Sequence, residues 1–224
     1  MSLVHATATI LAKELRTEFR SRELLGTTVV FVLIVLVLFS FTFDPTTSES
    51  RRFGPGLLWL AFLFAGSLML QPSFLREQAN DTLSALRLAP IDPFSILAGK
   101  MAANFLFLLL VELILLPVFA VLYNLAILPV LWQLILILVL GTVGVTTTGT
   151  VFAAVSAQAR LRELLLPLLL LPVLAPLLVG SAEATARLLR DPSELSEVWL
   201  VFLAAFDVVF LTAAWLFGAY LLEE

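Results

Sequence analysis

Two carboxylates stand inside long apolar stretches of this chain: Glu112 and Asp207. An ionised acid at mid-bilayer depth costs roughly 3 kcal/mol even on lenient insertion scales, so such residues usually face a protein interior and mark proton or ion handling. The plainer reading is a hydrogen bond between helices. No cation in another apolar stretch is an obvious partner for either, which leaves protonation, or pairing with a neighbouring Thr or Asn. The other chemistries are poorly served. Gly99-Lys100 is followed by Met101, and Phe94 stands where the first glycine of a phosphate-binding loop would be, so nucleotide is not held by that loop. His5 is the only histidine and there is no cysteine. This removes Ser–His hydrolysis, the H-E-x-x-H zinc motif and thiolate metal sites. We expect no catalytic, metal-binding or cofactor-holding residue in this chain.

The elements that must carry the two acids are set by hydropathy. The composition is 61% apolar with a mean hydropathy of +1.06, and Leu113 to Ala159 contains no charged side chain. A bilayer core about 30 Å thick needs about 20 apolar residues per helical crossing. Six such segments are predicted, at 24–43, 54–72, 93–123, 130–157, 164–181 and 198–222, within one domain covering residues 1–224. The formal charge of −4 is small, and no segment is basic enough for nucleic acid. The charged run from Lys13 to Glu23 precedes the first apolar segment, unlike a cleaved signal peptide. With a cytoplasmic N-terminus, Lys13, Arg16, Arg20, Arg22, Arg76, Arg87, Lys100, Arg160 and Arg162 lie inside, against Arg51, Arg52, Arg187 and Arg190 outside. The positive-inside rule favours that orientation, with both termini cytoplasmic.

Residues 1–23 have helical periodicity. Val4, Ala8, Leu11, Leu15 and Phe19 recur along one stripe, and Lys13, Glu14, Arg16, Thr17, Glu18 and Arg20 occupy the rest. A helix of this kind lies along the membrane surface, or packs on another protein surface. The polar connection at 73–92 contains a short helix capped by Asp81, running from Thr82 to Leu88 and stopped by Pro90. It is either a docking element or an ordinary connecting loop. Asp92-Pro93 then opens the third segment as N-cap and first helical residue. Gly141, Thr142, Gly144, Thr146, Thr147, Thr148, Gly149 and Thr150 favour close helix packing, with a polar pore stripe as the alternative. Pro167, Pro172, Pro176 and Gly180-Ser181 predict an irregular fifth span. The charges of 182–197 predict one or two short amphipathic helices at the outer interface.

This layout resembles the small export-type permeases of ABC transporters, and more closely the heme exporter protein B family of the cytochrome c maturation system. The similarity is carried by Phe74-Leu75-Arg76-Glu77, by Asp81-Thr82-Leu83-Ser84-Ala85-Leu86, by Leu88-Ala89-Pro90 and by Ala98-Gly99-Lys100. Leu140-Gly141-Thr142 and the proline-broken Leu166-Pro167, Leu171-Pro172 and Pro176-Leu177 add to it. The resemblance implies an all-α permease in a bacterial inner membrane. Its N-terminal elbow helix would use Leu11, Leu15 and Phe19. Its coupling helix between spans 2 and 3 would dock an ABC ATPase through Glu77, Asp81, Thr82, Leu83, Leu86 and Arg87. It further implies a second copy of the chain, ATP on the partner subunit, a tryptophan-rich heme-handling membrane partner, and a periplasmic heme chaperone. Heme would be cargo of the complex. His5, Met1, Met69, Met101, Tyr123 and Tyr220 are the only residues here of heme-ligating type, and no two are placed to face each other. Other readings are an export permease for lipid, polysaccharide or drug, and an ion-coupled transporter built on Glu112 and Asp207.

Overall fold

The computed structural model describes residues 2–21, 23–41, 48–70, 74, 92–157, 162–191 and 197–223. All regular structure among them is helical: α1 (Leu3–Ser21), α2 (Glu23–Ser40), α3 (Ser48–Leu70), α4 (Pro93–Leu122), a 3-10 turn at Leu128–Val130, α5 (Leu131–Ala157), α6 (Arg162–Arg190) and α7 (Glu197–Glu223). Six segments are long and apolar enough to cross a bilayer: Glu23–Ser40, Arg52–Leu70, Pro93–Leu122, Leu128–Ser156, Leu169–Arg190 and Glu197–Gly218. The chain is a multi-pass all-α membrane protein.

Local chemistry sets the boundaries that position the site. Asp92 caps α4, its carboxylate accepting from the Phe94 N–H at 2.9 Å, and Pro93 supplies the fixed φ of a first helical residue. At the far end the chain reverses through Asn124, whose φ of 49° is the left-handed conformation that asparagine tolerates better than most residues. The Leu125 N–H then returns to the Ala120 carbonyl at 2.9 Å, satisfying an end-of-helix acceptor.

Helix α5 is the centre of the bundle and packs against α3, α4, α6 and α7. Its glycines allow this. A Cβ on Gly141 would overlap the Trp59 indole of α3, and one on Gly149 would overlap Leu70. One on Gly144 would lie 2.7 Å from Leu177 of α6 and 2.8 Å from Asp207 Oδ1 of α7. Three of its threonines are spent on the helix itself, while the buried Thr148 hydroxyl has no hydrogen-bond partner. Thr142, Thr146 and Thr150 donate to the carbonyls of Leu138, Thr142 and Thr146, each at 2.6 Å. Close packing is therefore the role of the Gly/Thr run. Few residues of the outer helices α2 and α7 are buried within the protein.

Two sequence-based expectations need correction. Helix α6 is unbroken through Pro167, Pro172, Pro176 and Gly180. Leaving the helix in an apolar medium would orphan more backbone groups than a proline does. Residues 182–190 also belong to α6 and are not separate interfacial helices; 192–196 lie outside the described residues. The charges of this stretch fall on one stripe, where Arg187 Nε donates to Glu183 Oε1 at 3.1 Å across one turn. The opposite stripe, Ala184, Thr185 and Leu188, is buried. There the Trp59 indole N–H donates to the Thr185 hydroxyl at 3.0 Å.

Candidate functional site

Among the described residues, two centres of buried polar groups stand out. The first is the seam between α4 and α5. Glu112 is 0% exposed, and the Thr142 hydroxyl lies 2.6 Å from its Oε2. The same hydroxyl lies 2.6 Å from the Leu138 carbonyl oxygen. A hydroxyl has one hydrogen and a carbonyl can only accept. When Thr142 donates to Leu138, the carboxyl itself must donate to Thr142, so the arrangement is complete with a proton on Glu112. Its other oxygen, Oε1, is buried without a hydrogen-bond partner. Two turns nearer the start of α4, Asn104 Nδ2 donates to the Thr150 hydroxyl at 2.9 Å.

Asp207 of α7 is also buried, at 5% exposure, and its Oδ1 has no hydrogen-bond partner. It faces Gly144. Positions 142 and 144 point to different sides of a helix, so α5 separates Asp207 from Glu112. The structure buries both candidate acids and does not join them in one site. Among the described residues no group of His, Asp and Glu is placed to hold a metal ion. His5 lies on the exposed side of α1, and the Tyr123 hydroxyl donates to the Leu36 carbonyl at 3.3 Å.

The second centre was not foreseen from the sequence. Lys100, counted above among the cytoplasmic-side charges, lies within α4 and is 0% exposed. Its ammonium donates to Glu14 Oε1 of α1 at 2.9 Å and sits 4.8 Å from the centroid of the Phe74 ring. Beside it α1 closes onto α4 at Gly99, where a Cβ would stand 2.7 Å from Ile10 and 3.1 Å from the Thr7 carbonyl. One turn on, Glu18 is buried and accepts the Leu25 N–H at 3.0 Å, capping the start of α2. The packed face of α1 is thus Ala6, Ile10, Glu14 and Glu18, flanked by half-buried Leu11 and Leu15. Phe19 remains 53% exposed while meeting Phe107 edge-on at 6.1 Å, and Val4 and Ala8 are exposed. The predicted stripe is therefore the border of the buried face. The usable signals were an acid among the bases of α1 and a glycine next to Lys100.

Burial pushes the Glu14 carboxyl up, but Lys100 and Lys13 outweigh that and leave it below the usual carboxylate range. A depressed acid contributes stability that is present above its unfolded value of 4.5 and lost as pH falls through the lower folded value. Acidification below about pH 4.5 should loosen α1 from α4, seen as faster amide exchange over residues 3–21. Glu14→Gln should remove that step.

The expected docking residues Glu77, Asp81, Thr82, Leu83, Leu86 and Arg87 lie outside the described residues. Phe74, which precedes them, is buried, and Asp92 follows them at the cap of α4. Both flanks thus lie close in sequence to the Lys100 centre.

The family described as CcmB protein matches residues 5–221. The chain belongs to that family. CcmB relatives named heme exporter protein B align over most of their length. The Pseudomonas aeruginosa protein is 33% identical over 199 residues, 88% of each chain. The Rhodobacter capsulatus protein is 34% identical over 178 residues, 80% of this chain and 81% of that one. The Paracoccus denitrificans protein is 33% identical over 205 residues, 92% and 93% respectively. The CcmB match therefore takes in α1, all six apolar spans and both buried centres.

Proposed function

We propose that the chain is the permease subunit of an ABC transporter in cytochrome c maturation. A separate ATPase drives heme delivery to, or release of, a periplasmic heme chaperone. The observation that carries this reading is the CcmB match over residues 5–221 in a chain with no phosphate-binding loop. A membrane protein so built must receive its energy from a partner, and its relatives are named for heme export. The complex holds two copies of the chain and of the ATPase, and a heme-handling membrane protein. It lies in the bacterial inner membrane with both termini cytoplasmic. Setting the buried Lys100 aside still leaves eight basic residues against four in favour of that orientation. Then α1 is the elbow helix, its Lys100-facing side on protein and its Val4, Ala8 and Phe19 side toward lipid. Residues 73–92 form the coupling segment on the ATPase side. Catalysis belongs to the partner, and heme is cargo. The separation of Glu112 from Asp207 by α5 argues against a shared ion-coupling site.

Mild-detergent purification of the tagged chain tests this. It should recover an ATPase and a heme-handling membrane protein. Leu86→Asp should weaken ATPase recovery by at least about 30-fold, the size of a hot-spot loss, while the chain stays in the membrane. Recovery of an ATPase alone favours another export substrate. Heme delivery by the isolated chain without nucleotide ends the proposal.

A further inference from the structure

The Lys100 centre has a use that packing alone does not require. A buried ion pair is weak support for stability, because well-packed apolar side chains of similar volume often do as well or better. What such a pair supplies is a fixed geometry among the elements that contribute to it. Here they are three: α4 through Lys100, α1 through Glu14, and the chain just beyond α3 through Phe74. Each is held by more than the charge. Gly99 seats Ile10 and Thr7 of α1 directly on α4, Phe74 is buried, and Glu18 ties the end of α1 to the first turn of α2. A displacement of Phe74 therefore has a short route into three helices.

We propose that Lys100 is a positioning residue that clamps Phe74 and Glu14 to α4. Movement imposed on residues 75–91 then enters the bundle as one displacement of α1, α4 and the start of α2. This rests on the transporter reading above. The ammonium is suited to the task because one group makes both a directed hydrogen bond to a carboxylate and an attraction to an aromatic face. A methionine of similar length could fill the space but could hold neither partner in place.

The test uses the whole complex in lipid, with wild-type chain, Lys100→Met, and the double variant Glu14→Gln with Lys100→Met. The single variant leaves half-buried Glu14 with only the exposed Lys13 ammonium, 3.1 Å away, and should lower the melting temperature. The double variant removes both charges and should restore it. Heme loaded on the chaperone per ATP hydrolysed should nevertheless stay low in the double variant, by about 2- to 30-fold, the span produced by residues on a coupling route. Recovery of both melting temperature and heme per ATP by the double variant would mean a structural pair only, and overturn the proposal. Should the double variant not assemble, amide exchange on the wild-type complex decides. Nucleotide-dependent change over 75–91 must be matched by change over 3–21, and change confined to 75–91 overturns the clamp. A wild-type complex without ATP-dependent heme loading overturns the transporter reading and this inference with it.

Discussion

Gly141→Ala should be among the most damaging single substitutions in this chain. The added methyl would occupy space taken by the Trp59 ring, which is fully buried and anchored to Thr185 on its other side. Overpacking of this kind typically costs about 1–3 kcal/mol and more where the neighbour cannot turn away. The indole can move only by giving up its hydrogen bond, and the freed N–H would be buried without a partner. Trp59→Phe alone should also be costly, because it leaves a void and removes the N–H that the Thr185 hydroxyl oxygen accepts. Together the two changes should be less harmful than their sum, with a coupling of about 0.5–3 kcal/mol as for residues in direct contact. Thermal midpoints of the four purified forms give that cycle. Strict additivity would mean that α3 does not rest on α5 at this point.

Glu112→Gln separates two roles for the buried acid. If the carboxyl acts as a neutral donor to Thr142, a carboxamide can replace it, because its N–H donates along the same line. The melting temperature should then change by no more than the equivalent of about 1 kcal/mol. Glu112→Ala should cost about 2–3 kcal/mol through the lost bond and the cavity beside Thr142. Transport is a different readout. A carboxyl that must release and regain its proton during the cycle cannot be replaced by an amide. In that case turnover of Glu112→Gln should fall about tenfold or more, equivalent to ~1.4 kcal/mol in the limiting barrier. Full turnover with unchanged melting would assign Glu112 to helix packing alone.

The six crossings were legible because length and apolarity suffice to define them. The Asp92-Pro93 start of α4 and the close-packing role of Gly141, Gly144 and Gly149 were legible too, since each depends on local chemistry. The partner type for Glu112 was partly so: a threonine from a neighbouring helix was expected, and Thr142 is the one found. The pair of Glu14 and Lys100 was hidden because its members are 86 positions apart and meet only when α1 folds back on α4. In the sequence each looks like a solvated charge. The fifth span misled for a related reason: Glu183, Arg187 and Arg190 signal a polar segment when counted in line, but in a helix they share one side. The docking residues from Glu77 to Arg87 remain assignments by resemblance.

The hydroxyls of Thr142, Thr146 and Thr150 turned back onto their own helix carry a consequence for biogenesis. A segment that satisfies these three hydroxyls internally presents a less polar exterior to the translocon. α5 can therefore partition into lipid as an autonomous unit before it docks on the helices around it. Its oxygen atoms then become meeting points for Glu112 and Asn104 without any earlier dehydration having to be undone. Valine at positions 142 and 150 should leave membrane integration of α5 intact and impair only the later docking of α4.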